Sequence, residues 1–266
     1  MAPVFVLTIF IAVLCSVQGR STGKAPFERS EEDMEIDSTR TNNIEEEDFS
    51  ASTLIEKANR NLGKRLDEPL VMFGDIAVNT GFMNADPCTA HTCKWPKSSD
   101  GKVYVPYVIS NQYSPQERSV IEGGLQTFAA STCVRFFPRT NQRDFVDIQS
   151  LSGCYSYVGR QQNGQVVSLN RNGCVHLSVV QHELLHALGF RHEHSRSDRD
   201  SHVQILTQNI LPGKESNFNK INTINLGTPY DYKSVMQYSR FAFSKNNHPM
   251  DILRINRLYN CRKQLD

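Results

Sequence analysis

Between residues 84 and 180 the apolar positions fall mostly into short β-branched and aromatic runs, interrupted once by helical spacing. Val103-Tyr104-Val105-Pro106-Tyr107-Val108-Ile109 predicts a strand, and its proline, which has no N–H to give a ladder, predicts an edge position or a strand start. Ser114-Pro115-Gln116-Glu117 predicts a helix start, with Ser114 as N-cap, Pro115 at the first helical position and Glu117 completing a capping box. Val120, Ile121, Leu125, Phe128 and Ala129 carry that helix toward Cys133. Short strands are predicted over 135–137, 145–151 and 166–169, separated by Gly, Asn and Arg turn signals. A further helix following Val179-Val180 would bury Leu184, Leu185 and Leu188.

The two ends of the chain differ in charge. Residues 1–19 carry no charged side chain, and the apolar stretch from Val4 to Cys15 is too short for a comfortable bilayer span. It ends in Ser16-Val17-Gln18-Gly19, which predicts signal-peptidase cleavage and export. Residues 20–83 hold 14 acidic and 8 basic side chains among Ser, Thr and Asn, the composition of a solvated segment rather than a packed domain. A short helix is predicted there over 52–62, capped by Ser52. Residues 84–266 hold 14 acidic and 21 basic side chains, so a near-neutral whole conceals a basic part suited to acidic substrates or matrices. Nothing in it has the layout of a nucleic-acid reader, and no later stretch reaches membrane-span length. Cys15 leaves with the signal peptide. The remaining Cys88, Cys93, Cys133, Cys154, Cys174 and Cys261 predict three disulfides in an exported chain, with their pairing left open.

The chemistry is carried by Gln181-His182-Glu183-Leu184-Leu185-His186-Ala187-Leu188-Gly189-Phe190-Arg191-His192-Glu193. Residues four apart share a helix face, so His182 and His186 present two imidazoles to one metal ion while Glu183, one step round, reaches a water there. Gly189 permits a sharp turn through positive φ that brings back His192 as a third ligand. Three imidazoles leave a fourth position open, as in catalytic rather than structural zinc sites. His91, His176, His194, His202 and His248 have no ligand spacing and are expected to be surface or packed residues.

The run HELLHALGFRHEHSRSDRD, together with Ser234-Val235-Met236-Gln237-Tyr238, resembles the metzincin signature and Met-turn in the form used by the astacin family. The resemblance extends from about Cys88 to Cys261. It implies an α+β metzincin domain: a mixed twisted sheet with helices in the N-terminal half, and an irregular C-terminal half ending in a helix. It further implies one Zn2+ held by His182, His186 and His192, with Glu183 as general base and acid. Tyr238 is implied to donate a hydrogen bond to the oxyanion, and Met236 to pack beneath the metal. Phe73-Gly74-Asp75-Ile76 resembles the family's aspartate switch, in which the carboxylate occupies the open metal position of a latent precursor. An activating protease is then an implied partner, cutting near Met83-Asn84, although relatives tend to carry arginine where Met83 stands. The same resemblance suggests the pairs Cys88 with Cys93, Cys133 with Cys261 and Cys154 with Cys174.

Around Cys88 and Cys93 the chain resembles fish hatching enzymes and nephrosin-like six-cysteine astacins, which implies egg-envelope protein as substrate. Another extracellular role, such as matrix processing, is the alternative. One departure is large: only Lys245-Asn246-Asn247-His248-Pro249-Met250 separates Ser244 from Asp251, where astacins have a markedly longer segment. This leaves open a non-catalytic, zinc-containing binding protein. The expected organisation is a signal peptide (1–19), an acidic propeptide (20–83) and a metallopeptidase domain (84–266). The product is expected to be secreted, with storage in secretory granules compatible with that route.

Overall fold

The computed structural model describes residues 49–78 and 93–245. Its first element is helix α1 (Ala51–Asn59), capped by the Ser50 hydroxyl, which accepts the Thr53 N–H at 3.3 Å. The cap is therefore Ser50 and not Ser52. The Ser52 hydroxyl is instead engaged at long range, accepting the Ser239 N–H at 2.8 Å. The helix also stops short of the predicted Leu62, and its last residue, Asn59, turns its amide onto the backbone of other elements.

Seven strands follow: β1 (Leu70–Met72), β2 (Ile76–Val78), β3 (Val103–Ile109), β4 (Val134–Pro138), β5 (Phe145–Gln149), β6 (Cys154–Tyr157) and β7 (Gly164–Leu169). They form one mixed sheet in the order β1-β2-β6-β7-β5-β3-β4. Strands β4, β3, β5 and β7 are parallel, β6 is antiparallel to β7, and β2 runs parallel to β6. Parallel neighbours need a crossover, which α2 (Pro115–Ser131) supplies between β3 and β4. Its capping box forms as predicted, with Ser114 N–H donating to Glu117 at 2.7 Å and Glu117 N–H to Ser114 at 3.3 Å.

Strand β3 is not an edge: it lies between β4 and β5. The proline is tolerated because Val103 N–H and the Tyr107 carbonyl bond toward β4, so Pro106, one residue out of phase, faces the β5 side. Pairing with β5 begins only at Tyr107, so no ladder bond is missed.

Helices α2 and α3 (Leu177–Leu188) share a core with the sheet. Ile121, Leu125 and Phe128 meet Val179, Val180, Leu184 and Ala187 over Val105, Val146, Ile148, Val167 and Leu169. Full burial of a side chain of this size contributes about 1.5–3 kcal/mol. Ala51 and Ile55 of α1 join the same core, so this part of the acidic segment is packed after all. The acidic, Ser/Thr-rich composition holds for the segment as a whole, whereas packing needs only the short apolar stripe of α1.

Beyond α3 the described chain has only single 3-10 turns, at Glu193–Ser195, Arg199–Ser201, Thr207–Asn209 and Glu215–Phe218, in keeping with the expected irregular half. Two arginines hold it together. Arg196 forks onto Asp198, bonds Glu193 at 2.9 Å and donates to the Thr228 and Pro229 carbonyls, while Arg199 donates to the His194 and Phe218 carbonyls. The expected terminal helix lies outside the described residues.

Cys154 and Cys174 form a disulfide across a separation of 20 residues, a closure worth about 3 kcal/mol in the chain-entropy model. Cys93 is disulfide-bonded, and its expected partner Cys88 lies outside the described residues. Cys133 is exposed and in no disulfide among the described residues, and its expected partner Cys261 lies outside them. Among the described residues no helix is long and apolar enough to cross a membrane.

Candidate metal centre

His182 and His186 project from one face of α3 with ring centroids 4.8 Å apart. The helix ends at Gly189, whose φ of +109° is the left-handed conformation predicted for it, and whose N–H returns to the His186 carbonyl at 2.8 Å. The chain then turns back, and His192 enters the same space from the residue before the Glu193–Ser195 turn. All three imidazoles are buried.

Two backbone carbonyls settle which ring nitrogen faces inward. His182 Nδ1 lies 2.7 Å from the Val235 carbonyl and His186 Nδ1 lies 2.8 Å from the Phe190 carbonyl. A carbonyl can only accept, so both Nδ1 atoms carry a proton, and each ring turns its Nε2 to the centre. Burial pushes His186 down to about 4 and also lowers His192, which favours the neutral form that a metal requires.

Asp75 meets them from the segment between β1 and β2. Its carboxylate is 2.9 Å from His182 Nε2, 3.0 Å from His192 Nε2 and 3.5 Å from His186 Nε2. Burial acts to raise the Asp75 carboxyl, but the histidines, His192 foremost, outweigh it and hold it well below the usual carboxylate range. One ligand atom from each of the four residues lies within 4.8 Å of every other, a cluster able to hold a metal ion. The spacing fits zinc: two ligands at tetrahedral zinc stand about 3.3–3.4 Å apart, and the Nε2 atoms of His182 and His192 are 3.3 Å apart.

Glu183 lies on the same helix, fully buried, and neither carboxylate oxygen has a protein partner among the described residues. Burial first, and the Asp75 charge second, push its carboxyl well above the ordinary value. An unpaired buried acid beside a metal-binding cluster is costly, of order 1–3 kcal/mol or more, and such groups mark chemistry rather than packing.

The Ser234–Tyr238 turn closes the site from below. Met236 is buried, its carbonyl accepts the Glu193 N–H at 3.0 Å, and the preceding Val235 carbonyl orients His182. Tyr238 is buried and donates through Oη to the Phe73 carbonyl. Phe73 has φ of +50°, a conformation costing a bulky residue about 1–3 kcal/mol, and Gly74 follows at +87°. A Cβ on Gly74 would stand 2.7 Å from Tyr238 Oη, so glycine is required both for its backbone and for this close approach.

Four residues position these elements through long-range contacts that the sequence did not signal. The Asn59 amide donates to the Gly74 and Cys154 carbonyls at 2.8 and 2.7 Å and accepts the Cys154 N–H at 2.7 Å, tying α1, the Asp75 loop and β6 together. Ser52 and Glu56, on the same helix, accept the Ser239 and Phe243 N–H groups. His194 is a packed residue, buried against Tyr238. Asn59→Ala is expected to lower the stability of the full-length chain by about 2–3 kcal/mol, because three backbone groups lose their partner at once. A urea midpoint equal to wild type would contradict that.

Three imidazoles and a carboxylate converging at tetrahedral spacing, beside a buried glutamate and a methionine turn, define a zinc peptidase centre of the metzincin class. Comparison with known proteins narrows the class. The profile of Astacin (Peptidase family M12A) matches residues 89–260. High choriolytic enzyme 1 of Oryzias latipes is 46% identical over 216 residues, spanning 73% of this chain and 80% of that protein. The low choriolytic enzyme of the same fish is 41% identical over 252 residues, spanning 86% and 91%. The solved structure of high choriolytic enzyme 1, described as a hatching enzyme zinc-protease, superposes with a TM-score of 0.58 at 48% identity, covering 67% of this chain and 100% of that one. The chain belongs to the astacin family and is a zinc metalloendopeptidase.

Proposed function

We propose that this chain is the latent precursor of a secreted, hatching-enzyme-like endopeptidase that degrades egg-envelope protein. The observation that carries the reading is the convergence of His182, His186 and His192 with Glu183 beside them, under the carboxylate of Asp75. Its similarity to the choriolytic enzymes supports the choice of substrate.

His182, His186 and His192 would hold the metal, with the Nδ1 protons of His182 and His186 anchored on the Val235 and Phe190 carbonyls. Zinc bound there supplies a Lewis acid that polarises the scissile carbonyl and acidifies water. Glu183 takes the proton of the attacking water and returns it to the leaving amine. Tyr238, once its hydroxyl is free, donates to the substrate oxygen that gains charge, a bond worth about 3–4 kcal/mol of barrier when well placed. Strand β6 becomes the sheet edge when β2 leaves, and an extended substrate backbone can pair along it.

Latency acts at three places in this reading. Asp75 occupies the imidazole cluster, Phe73 captures the Tyr238 hydroxyl, and β2 covers β6. Activation then requires a protease to cut between the two parts, in the region of Met83-Asn84, which lies outside the described residues.

The test is cleavage of a peptide library and of isolated egg envelopes by zinc-loaded protein processed at Asn84, with and without a chelator. Chelator-sensitive cleavage of both is expected. Peptide cleavage with untouched envelopes would remove the hatching role and leave the peptidase. A second reading, a zinc-bound protein without turnover, is favoured by one observation, the short segment of six residues between Ser244 and Asp251. One zinc per chain with no cleavage of any peptide would establish that reading instead.

A further inference from the structure

We propose that His194 is a positioning residue for Tyr238, an imidazole platform that sets the plane and height of the phenol ring so that its hydroxyl meets the reacting carbonyl. The proposal rests on Tyr238 acting as the oxyanion donor. The two rings are stacked, with centroids 3.8 Å apart and planes inclined by 29°. His194 is 1% exposed and anchored at both ends: Nε2 donates to the Asn217 carbonyl at 3.0 Å, and its own carbonyl accepts from Arg199 at 3.0 Å. Phe218 packs edge-on against Tyr238 at 5.8 Å and tilted against His194 at 5.6 Å, closing the box on another side.

The hydroxyl of Tyr238 has a different kind of restraint. Its hydrogen bond goes to Phe73, which departs with the pro-segment in the proposed activation. The ring contacts stay behind, and the closest of them is the His194 stack. Because His194 is two residues past His192 and sits in the Glu193–Ser195 turn, the stack fixes the phenol relative to the metal site through a short, rigid path. A stacked aromatic pair is stabilising beyond its burial, enough to hold one ring orientation over another.

The experiment is a double-mutant cycle on the full chain, loaded with zinc and processed, reading kcat, KM and zinc content. Tyr238→Phe keeps the ring and removes the hydroxyl. His194→Ala is expected to lower kcat about tenfold with KM within about twofold and one zinc retained. His194→Phe, which restores a ring, should recover kcat to within about threefold of wild type. In the Tyr238→Phe background, His194→Ala should lower kcat by less than about twofold, since the hydroxyl it positions is already gone. An equal tenfold loss in both backgrounds would overturn the positioning role while leaving Tyr238 as donor. Unchanged kcat in Tyr238→Phe alone would overturn the donor reading and this inference with it. Should His194→Ala fail to fold, His194→Gln, which keeps a donor for the Asn217 carbonyl without the ring, runs the same cycle with the same expected outcomes.

Discussion

Glu183→Ala in processed, zinc-loaded protein is expected to lower kcat/KM for peptide cleavage by about 10^3-fold or more, with one zinc per chain retained. A positioned general base and acid contributes about 10^2- to 10^4-fold, and in the proposed mechanism Glu183 serves both steps. It is not among the clustered ligand atoms, so its loss leaves the metal donors intact. In the proposed precursor the same residue is expected to be a poor base. Burial and the adjacent Asp75 charge raise its carboxyl well above the ordinary value and favour the protonated form, which cannot accept a proton from water. Departure of Asp75 removes the second cause and opens the site to solvent, which weakens the first. Peptide cleavage by Glu183→Ala at more than a tenth of the wild-type rate would remove Glu183 from the mechanism.

Asp75→Ala should release activity without proteolysis. The full-length variant is expected to cleave a small peptide at least about tenfold, and up to about a hundredfold, faster than the wild-type precursor. The Asp75 carboxylate, 1% exposed, stands against all three imidazoles at once, in the position that a metal-bound water would need. The release stays incomplete because α1 remains tied by Ser52, Glu56 and Asn59, and β2 still lies along β6. A variant as silent as wild type would place latency in the strand and helix contacts rather than in the carboxylate.

Local order was readable wherever it rests on residues close in sequence. The α2 capping box is a four-residue pattern, and β3 is a continuous apolar run; both occur where they were predicted. Gly189 adopts positive φ because a helix must end within three residues for His192 to return to its face. Where a prediction failed, a distant partner decided the outcome. Pro106 sits inside the sheet because β5 pairs only from Tyr107, a register no local pattern encodes. Ser52 gave up the capping role to Ser50 and bonds Ser239 instead, 187 residues away.

By itself, the sequence determined the donor set and its spacing on one helix: His182, His186 and the adjacent Glu183 share a surface because 3.6 residues make a turn. It also determined a third histidine after a glycine hinge, and a Gly-Asp pair in an acidic leader segment. Only the tertiary structure decided that Asp75 meets His182 across 107 residues of chain, that carbonyls from the methionine turn and from Phe190 fix the imidazole tautomers, and that His194 lies under Tyr238. The physical reason is common to these cases. Hydrophobic periodicity and capping are set by neighbours in the chain, whereas a backbone carbonyl or a stacked ring carries no sequence code for the partner that folding brings to it.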